Sequence, residues 1–187
     1  RRVGGCDIMT APGGAGAVGG RTGRLTAVVV VASSRAAAGT YLDTSGPLLV
    51  AGLRHLGFRV DEPVVVPDGD PVEAAVRGAV ERGADVILTS GGTGISPTDV
   101  TPEMTRRVLD TEVPGIAEAI RAYGRAAVPT AALSRGVAGV AGRTLIVNLP
   151  GSTGGARDGL AVLGPILVHA VEQLRGGDHP RPDTLGR

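Results

Sequence analysis

The stretch from Thr89 to Met104, TSGGTGISPTDVTPEM, most constrains what this chain can fold into. It opens as the end of an apolar run and continues as a loop with three glycines, Gly91, Gly92 and Gly94. It closes on TPE, in which Thr101 is the expected N-cap of a helix and the following proline its first residue. A strand, a glycine loop and a helix in this order let backbone N–H groups face an anion.

One acid, Asp99, lies inside this loop. A carboxylate beside a phosphate site is repelled by the phosphate unless a divalent cation lies between them. The loop therefore suggests a phosphate-bearing ligand, a metal ion and Asp99 as a metal ligand. Two simpler interpretations stay open: the glycines only permit a turn, and Asp99 only supports the helix start. The loop lacks the Lys-Ser/Thr of a P-loop and the third glycine of a dinucleotide fingerprint.

Apolar runs and helical segments alternate along the chain. The run LTAVVVVA at 25–32 is β-branched throughout its centre, which is typical of a strand buried on both faces of a parallel sheet. Further strands are expected at 58–66, 85–90 and 143–149, the first of them irregular at Pro63. The alternation predicts one α/β domain of three layers, with a mostly parallel sheet and helices on both faces.

The ends of the chain differ from this central domain. Residues 1–24 contain eight glycines and almost no large apolar side chains, so we expect a disordered leader. Residues 25–175 form the expected domain, and residues 176–187 a flexible tail.

Local signals set several expected boundaries. Ser45 is the expected cap of a first long helix, and Asp70 with Glu73 resembles a capping box at the start of the next. Gly83 is expected just past the end of that helix. Further helices are expected at about 102–110, 115–125, 155–163 and 165–174. Ala141-Gly142 is expected to form a hairpin turn.

Composition limits the function. The chain contains no lysine, which excludes a lysine nucleophile. A net charge of +1 and a total of three aromatic residues argue against nucleic-acid binding. A single cysteine, Cys6, cannot form an internal disulfide, and no apolar run reaches the ~18 residues that span a bilayer. We therefore expect a cytoplasmic protein without a membrane partner.

Four polar or glycine-rich loops follow four predicted parallel strands. They are Ser33–Asp43, the segment at Asp68, Gly91–Asp99 and Pro150–Thr153. Because ligands of such sheets bind beyond the carboxyl ends of the strands, we expect these loops to meet at one edge.

Several ordered motifs also resemble one family. SGGTG, the acid and VTPE are similar to the signature of the molybdopterin adenylyltransferases of molybdenum cofactor biosynthesis and their close paralogues. Matches continue in SSRAAAGTYLDTSG, VPD, EVPG, ALSR and NLPGS, so the resemblance covers about residues 25–175. One departure is Thr98, which stands where some relatives carry an arginine.

The resemblance implies a set of site residues. It implies that Asp68 and Asp99 are the catalytic acids and hold the metal, although Asp68 alone also reads as a turn aspartate. The residues that it implies for binding substrate and phosphate are Ser90, Gly91, Gly92, Thr93, Gly94, Ser134, Arg135, Pro150, Gly151 and Ser152. Ser152 has a second interpretation as a helix cap. Glu112, Asp43 and Ser45 match family positions, but surface or structural roles fit them equally.

The activity implied by the resemblance is adenylyl transfer from Mg-ATP to the terminal phosphate of molybdopterin. ATP and molybdopterin are then the substrates and Mg²⁺ the cofactor. The same resemblance implies a homotrimer and a downstream protein that inserts molybdate. The alternative is a paralogue that binds molybdopterin without catalysis.

Overall fold

The structure, a computed structural model, describes residues 24–176. Within this range, seven strands form one sheet. The strands are β1 (Thr26–Ala32), β2 (Arg59–Val60), β3 (Val64–Val66), β4 (Val86–Ser90), β5 (Thr111–Glu112), β6 (Ala138–Ala141) and β7 (Thr144–Leu149). The α-helices are α1 (Ser34–Ala37), α2 (Ser45–His55), α3 (Asp70–Glu81), α4 (Thr101–Arg106), α5 (Pro114–Arg125), α6 (Thr153–Leu163) and α7 (Leu167–Leu174), and a 3₁₀ helix covers Pro129–Leu133.

The sheet is mostly parallel. Its strand order is β2-β1-β4-β7-β6-β5, and β3 pairs with β1 beyond β2. Strands β1, β2, β3, β4 and β7 run parallel, whereas β6 is antiparallel to both β7 and β5. The central strands therefore end at the same edge of the sheet, as the alternation of strands and helices predicts.

Helices cover both faces of this sheet. Alternate residues of β1 enter different cores: Val29 and Val31 pack in one cluster and Val30 in the other. The first cluster is closed by α2, α6 and α7, and the second by α3 and α4. This arrangement confirms the three-layer α/β class. Each fully buried aliphatic side chain stabilises it by about 1.5–3 kcal/mol.

The expected strand at 58–66 is divided, as the proline within it predicts. β2 and β3 both pair with β1, and Pro63 lies in the gap between them. Proline has no N–H for the ladder, so the strand leaves the sheet around it and returns.

Two predicted helix caps are wrong. Ser45 is the first residue of α2, and the carboxylate of Asp43 accepts the N–H groups of Ser45 and Gly46 at 3.0 Å. Asp70 likewise is the first residue of α3, which follows Gly69 without a side-chain cap. The predicted capping box is absent there, because Glu73 instead pairs with an arginine one turn further on.

The start and end of α4 also differ from the prediction. Val100 precedes the helix, and Thr101 is its first residue; within the described range its hydroxyl has no hydrogen-bond partner. The helix ends at Arg106 rather than Asp110, because the N–H of Asp110 donates to the carbonyl of Val140 and the chain joins the sheet as β5.

Turns follow the glycines. Gly83 lies just past α3 with φ +77°, as expected. The hairpin turn is Gly142-Arg143, one residue later than predicted, because Ala141 still pairs in β6. Helices α6 and α7 begin at Thr153 and Leu167, two residues from the expected positions 155 and 165.

The predicted leader and tail, apart from Arg24 and Gly176, lie outside the residues that the structure describes and stay predictions. Between residues 24 and 176, no helix has the length and apolar character needed to cross a bilayer.

Candidate functional site

The four loops expected at one edge of the sheet line a single cleft of about 870 Å³. This volume lies within the ~300–1,000 Å³ typical of small-molecule sites. All but one of the predicted site residues line the cleft. They are Asp68, Ser90, Gly91, Gly92, Thr93, Gly94, Asp99, Ser134, Pro150, Gly151 and Ser152.

The loop after β4 requires glycine at two positions. Gly91 and Gly92 have φ of +99° and +62°, where side chains are strained. A Cβ on Gly91 would also collide with the carbonyl oxygen of Ala32, and one on Gly92 with the hydroxyl of Thr101. The loop can therefore pass close to its neighbours only with bare backbone.

The backbone N–H groups of this loop divide into two sets. The N–H of Gly91 donates to the carbonyl of Leu149 at 3.1 Å, so it extends the sheet and is not available to a ligand. Within residues 24–176, the N–H groups of Gly92, Thr93 and Gly94 have no protein acceptor. Three successive free donors of this kind can bind an anion.

Asp68 is held by the loop after β1. Its Oδ2 accepts the N–H of Ser34 at 3.0 Å and the hydroxyl of Ser34 at 2.7 Å. Its Oδ1 faces the glycine loop, since a Cβ on Gly92 would lie 3.2 Å from it. Among the described residues this Oδ1 has no hydrogen-bond donor, which leaves it available for a metal or a ligand.

Asp99 borders the same loop from the opposite end. Its Oδ2 accepts the N–H of Ser96 at 3.2 Å, and a Cβ on Gly94 would lie 2.7 Å from this oxygen. Its Oδ1 has no donor within the described part of the chain. The two acids therefore present one uncommitted oxygen each, at either end of the glycine loop.

Arg135 is the predicted site residue that does not line the cleft. Its guanidinium donates to the carbonyl of Gly94 at 2.7 Å and to the carbonyl of Asp99, and forms an ion pair with Glu103. Its backbone N–H donates to the carbonyl of Thr93 at 2.8 Å. Arg135 thus fixes the loop from behind, and each of its three guanidinium nitrogens donates to the protein.

The ion pair with Arg135 also affects the pKa of Glu103. Burial raises the pKa of Glu103, but the hydrogen bond from its own backbone N–H and the ion pair with Arg135 outweigh this effect. The pKa of Glu103 consequently lies below its ordinary value of 4.5. Glu103 therefore remains charged at neutral pH and holds Arg135 in place.

The second glycine loop packs directly on the first. A Cβ on Gly151 would lie 3.1 Å from the Cα of Gly91, so the two backbones are in contact. Ser152 is the N-cap of α6, and its hydroxyl accepts the N–H of Gly155 at 3.1 Å. The alternative interpretation of Ser152 as a helix cap is therefore correct. Because Ser152 also lines the cleft, it can contact a ligand in addition to capping α6.

Three polar residues connect the floor of the cleft. The buried hydroxyl of Ser90 lies 2.9 Å from that of Ser45 and donates to it, and Ser45 donates to Asp43 at 3.0 Å. These contacts give all three residues a structural role. The hydroxyl of Ser134 accepts the N–H of Gly136 at 3.3 Å and reaches the cleft wall.

Several lining residues escape sequence reasoning. Ser34, Arg35 and Tyr41 line the cleft and lie in the predicted loop Ser33–Asp43, but the sequence predicts no individual role for them; Asp158, which also lines the cleft, has the sequence pattern of a surface residue of a helix. One signal could have pointed to Ser34: an acid such as Asp68 that follows a strand can accept hydrogen bonds from the neighbouring loop, which contains Ser34. Glu112, by contrast, lies on β5 and pairs with Arg106 at 2.8 Å, away from the cleft.

The donors present suit a hard cation that is shared with a ligand. Among residues 24–176, no group of three or more His, Cys, Asp or Glu side chains is placed to hold a metal. Two carboxylates on a phosphate site fit Mg²⁺, which is usually bound by one or two carboxylates together with water and substrate phosphates. The fold and the cleft define an α/β protein whose cleft combines free N–H donors with carboxylates, an arrangement that suits a phosphorylated small molecule.

Comparison with known proteins narrows this class. The family model described as "Probable molybdopterin binding domain" matches residues 27–169, and the chain belongs to this family. The resemblance seen in the sequence motifs is therefore confirmed.

Named relatives agree with this family. The chain is 42% identical over 161 residues to the molybdenum cofactor biosynthesis bifunctional protein of Chlorobaculum tepidum, covering 82% of this chain and 49% of that protein. It is 34% identical over 154 residues to the molybdopterin adenylyltransferase of Helicobacter pylori strain J99, covering 79% and 86%. The chain thus spans about half the length of the bifunctional relatives that it matches.

A solved structure matches over nearly its whole length. The molybdopterin biosynthesis Mog protein from Mycobacterium ulcerans superposes with a TM-score of 0.79 at 53% identity. The match covers 83% of this chain and 99% of that one. The mostly parallel sheet with helices on both faces is therefore the fold of this family.

Proposed function

We propose that the protein transfers the adenylyl group of Mg-ATP to the terminal phosphate of molybdopterin. One observation carries this proposal: the free N–H groups of Gly92, Thr93 and Gly94 lie between two carboxylates, Asp68 and Asp99, that each keep one oxygen free. Free N–H donors alone would suffice to bind a phosphate. The added acids make sense only where a cation accompanies the phosphate. Relatives named as molybdopterin adenylyltransferases support the choice of substrates.

The reaction is a phosphoryl-type displacement. A terminal phosphate oxygen of molybdopterin attacks the α-phosphorus of ATP and forms a new P–O bond. The bond from that phosphorus to the bridging oxygen breaks, and its electron pair leaves with pyrophosphate. The attacking oxygen is already anionic at neutral pH, so no strong general base is required.

The chain's residues therefore act by position and charge. The N–H groups of the glycine loop bind a phosphate, and Asp68 and Asp99 orient the metal-bound nucleotide. Asp68 and Asp99 would hold Mg²⁺, and the ion would supply positive charge that offsets the charge of the phosphates. Arg135 joins Gly94 to Asp99 through their carbonyl groups, which preserves this geometry before substrates arrive.

The remaining predicted roles belong to the same proposal. Ser134, Gly151 and Ser152, which line the cleft, contribute polar contacts to the pterin or a phosphate. The product is passed to a molybdate-inserting protein or domain, a role in line with the bifunctional relatives. The protein acts in the cytoplasm as a homotrimer, and light scattering at micromolar concentrations should return the mass of about three chains.

The direct test is incorporation of labelled AMP into molybdopterin by purified protein. We expect product with Mg-ATP under single-turnover conditions and none when EDTA removes the metal. Molybdopterin retention, followed by fluorescence, is measured in parallel. Binding without transfer at any metal concentration would overturn the proposal and identify a non-catalytic binding paralogue.

A further inference from the structure

The cleft holds far more negative than positive charge. Four acidic residues, Asp43, Asp68, Asp99 and Asp158, line it, but a single basic residue, Arg35, does so within the described range. The formal charge of these lining residues, four negative and one positive, is −3, which one divalent cation does not neutralise. A positive side chain is therefore needed wherever a phosphate approaches beyond the metal.

The other arginines near the cleft are already engaged. Arg135 binds the carbonyl groups of the glycine loop, and Arg121 donates to the carbonyls of Ser134 and Gly136. Thr98 lines the cleft close to Asp99 but carries no charge. The positive charge must consequently come from the wall that carries Arg35.

Arg35 itself is uncommitted. Between residues 24 and 176, its guanidinium forms no ion pair and no hydrogen bond with the protein, and its centre lies 5.2 Å from the centroid of the Tyr41 ring. A cation over an aromatic face is attracted to it without losing any of its hydrogen-bond donors. Tyr41 thus limits where Arg35 can point and leaves its five N–H groups for a ligand.

The backbone of Arg35 is also fixed relative to the candidate acids. The preceding residue, Ser34, is hydrogen-bonded through both its N–H and its hydroxyl to Asp68. The hydroxyl of Ser33 accepts the N–H of Ala36 at 3.2 Å and shapes the turn that carries Arg35. Arg35 therefore leaves the chain one residue from the group that holds Asp68.

We propose that Arg35 binds a phosphate oxyanion of a substrate in this cleft, with Tyr41 positioning its guanidinium. The inference rests on the proposed function for the identity of the substrates. The fork of a guanidinium matches two oxygens of one phosphate, and such charge-assisted hydrogen bonds are among the stronger ones in proteins. The phosphate belongs either to the nucleotide or to molybdopterin, and the experiment separates the two.

The test compares Arg35→Gln, Arg35→Lys and the control Arg59→Gln. Arg59 is exposed and pairs with Thr26 at the opposite end of the sheet, so its loss leaves the cleft unchanged. Titration calorimetry with Mg-ATP and with Mg-pyrophosphate measures the affinity for the nucleotide, and molybdopterin fluorescence measures the affinity for the pterin. We expect Arg35→Gln to weaken the affinity for one of these two ligands by about tenfold or more, and Arg35→Lys to weaken it less.

Tyr41 provides a second measurement. Tyr41→Phe keeps the ring face and should bind both ligands as wild type does. Tyr41→Leu should weaken the affinity for the ligand that Arg35→Gln affects about threefold, because the ring contact is lost. Because the side chain of Arg35 is exposed and has no polar partner among residues 24–176, its variants should melt at the wild-type temperature. If Arg35→Gln melts at a lower temperature than wild type, Arg35→Lys tests the role of Arg35 in binding instead.

Two results would separate the inference from the proposed function. If wild-type protein transfers AMP and Arg35→Gln binds both ligands with wild-type affinity, the role of Arg35 is wrong and the function stands. If wild-type protein binds Mg-ATP or molybdopterin without transfer and Arg35→Gln weakens that binding, the role of Arg35 stands and the proposed function fails.

Discussion

Ser34 and Asp68 hold each other through hydrogen bonds that run in both directions. The N–H and the hydroxyl of Ser34 donate to one carboxylate oxygen of Asp68, and the N–H of Asp68 lies 3.2 Å from the hydroxyl oxygen of Ser34. The contact joins the loop after β1 to the loop after β3. It leaves the second carboxylate oxygen of Asp68 directed at Gly92.

Replacement of Ser34 by alanine should loosen Asp68 without unfolding the protein. Ser34→Ala removes the hydroxyl contacts and keeps the backbone one, so we expect about tenfold slower AMP transfer under single turnover. The melting temperature should fall by only a few degrees, since Ser34 is exposed. Ser34→Thr keeps a hydroxyl and should recover most of the rate. A wild-type rate in Ser34→Ala would show that Asp68 needs no such support.

Asp99→Asn should separate binding from transfer. The exchange keeps the shape of the side chain and removes its charge, while Arg135 still holds the loop through backbone carbonyls. Molybdopterin retention should persist or increase, and metal-dependent AMP transfer should fall on the order of a hundredfold or more. Asp68→Asn should act similarly, and the double variant should be less than additive if both acids hold one metal–nucleotide assembly. Transfer by Asp99→Asn at the wild-type rate would rule out its role at the metal.

Gly91→Ala should be strongly destabilising. The alanine would have to adopt a positive φ and would collide with the carbonyl oxygen of Ala32, so we expect a loss of about 2 kcal/mol or more in the free energy of unfolding. Gly115→Ala is the matched control, since open space surrounds that position on α5. Urea unfolding measures both. A Gly91→Ala variant as stable as Gly115→Ala would mean that the loop can move away from β1.

Arg175→Ala should destabilise the end of the sheet opposite the cleft. Arg175 binds both carboxylate oxygens of Asp85, at 3.0 and 2.9 Å, and the N–H of Thr26 donates to the same acid at 2.8 Å. Both side chains are largely buried, so the loss should be about 1–3 kcal/mol, between the values for exposed and fully buried pairs. The urea midpoint measures this loss, and Arg59→Gln is the control. Because the cleft is distant, AMP transfer should be unchanged in folded protein.

Glu103 gives a prediction on pH. Its pKa in the folded protein lies below the ordinary 4.5, so its charge stabilises the fold above that value. The contribution is lost as the pH falls through the lower folded pKa. The stability difference between wild type and Glu103→Gln should therefore be constant from about pH 7 to 5 and shrink below about pH 4.5. Glu73, whose pKa is also lowered, is present in both proteins and cancels. A difference that grows on acidification would show that the sign is wrong.

The central strands and their order of appearance could be predicted because β-branched runs bounded by turn residues have few other solutions. The convergence of Asp68, Asp99 and the glycine loop followed from the parallel sheet alone. The starts of the helices were harder to predict from the sequence. The sequence patterns of Ser45, Asp70 and Thr101 are those of caps, yet each is the first helical residue. For α2 the capping group is Asp43, a residue two positions earlier that tertiary contacts bring onto the helix end.

The function of Arg135 could not be predicted for a related reason. An arginine in a motif loop suggests a ligand contact, and only the folded chain reveals that carbonyl groups of residues far away in sequence use its donors. Ser34 and Arg35 lie in a loop that the sequence places at the site, but their individual roles could not be predicted because these depend on which loop lies across from them. Long-range pairing of this kind leaves no local pattern.

The position of the Asp85–Arg175 pair has a practical consequence for engineering. It ties α7 to the amino-terminal end of the sheet, whereas the cleft occupies the carboxyl-terminal end. Stabilising substitutions usually risk activity when they rigidify a working site. Here the two properties occupy opposite ends of the same strands, so thermostability can be raised around Thr26 and Asp85 with the substrate loops left as they are.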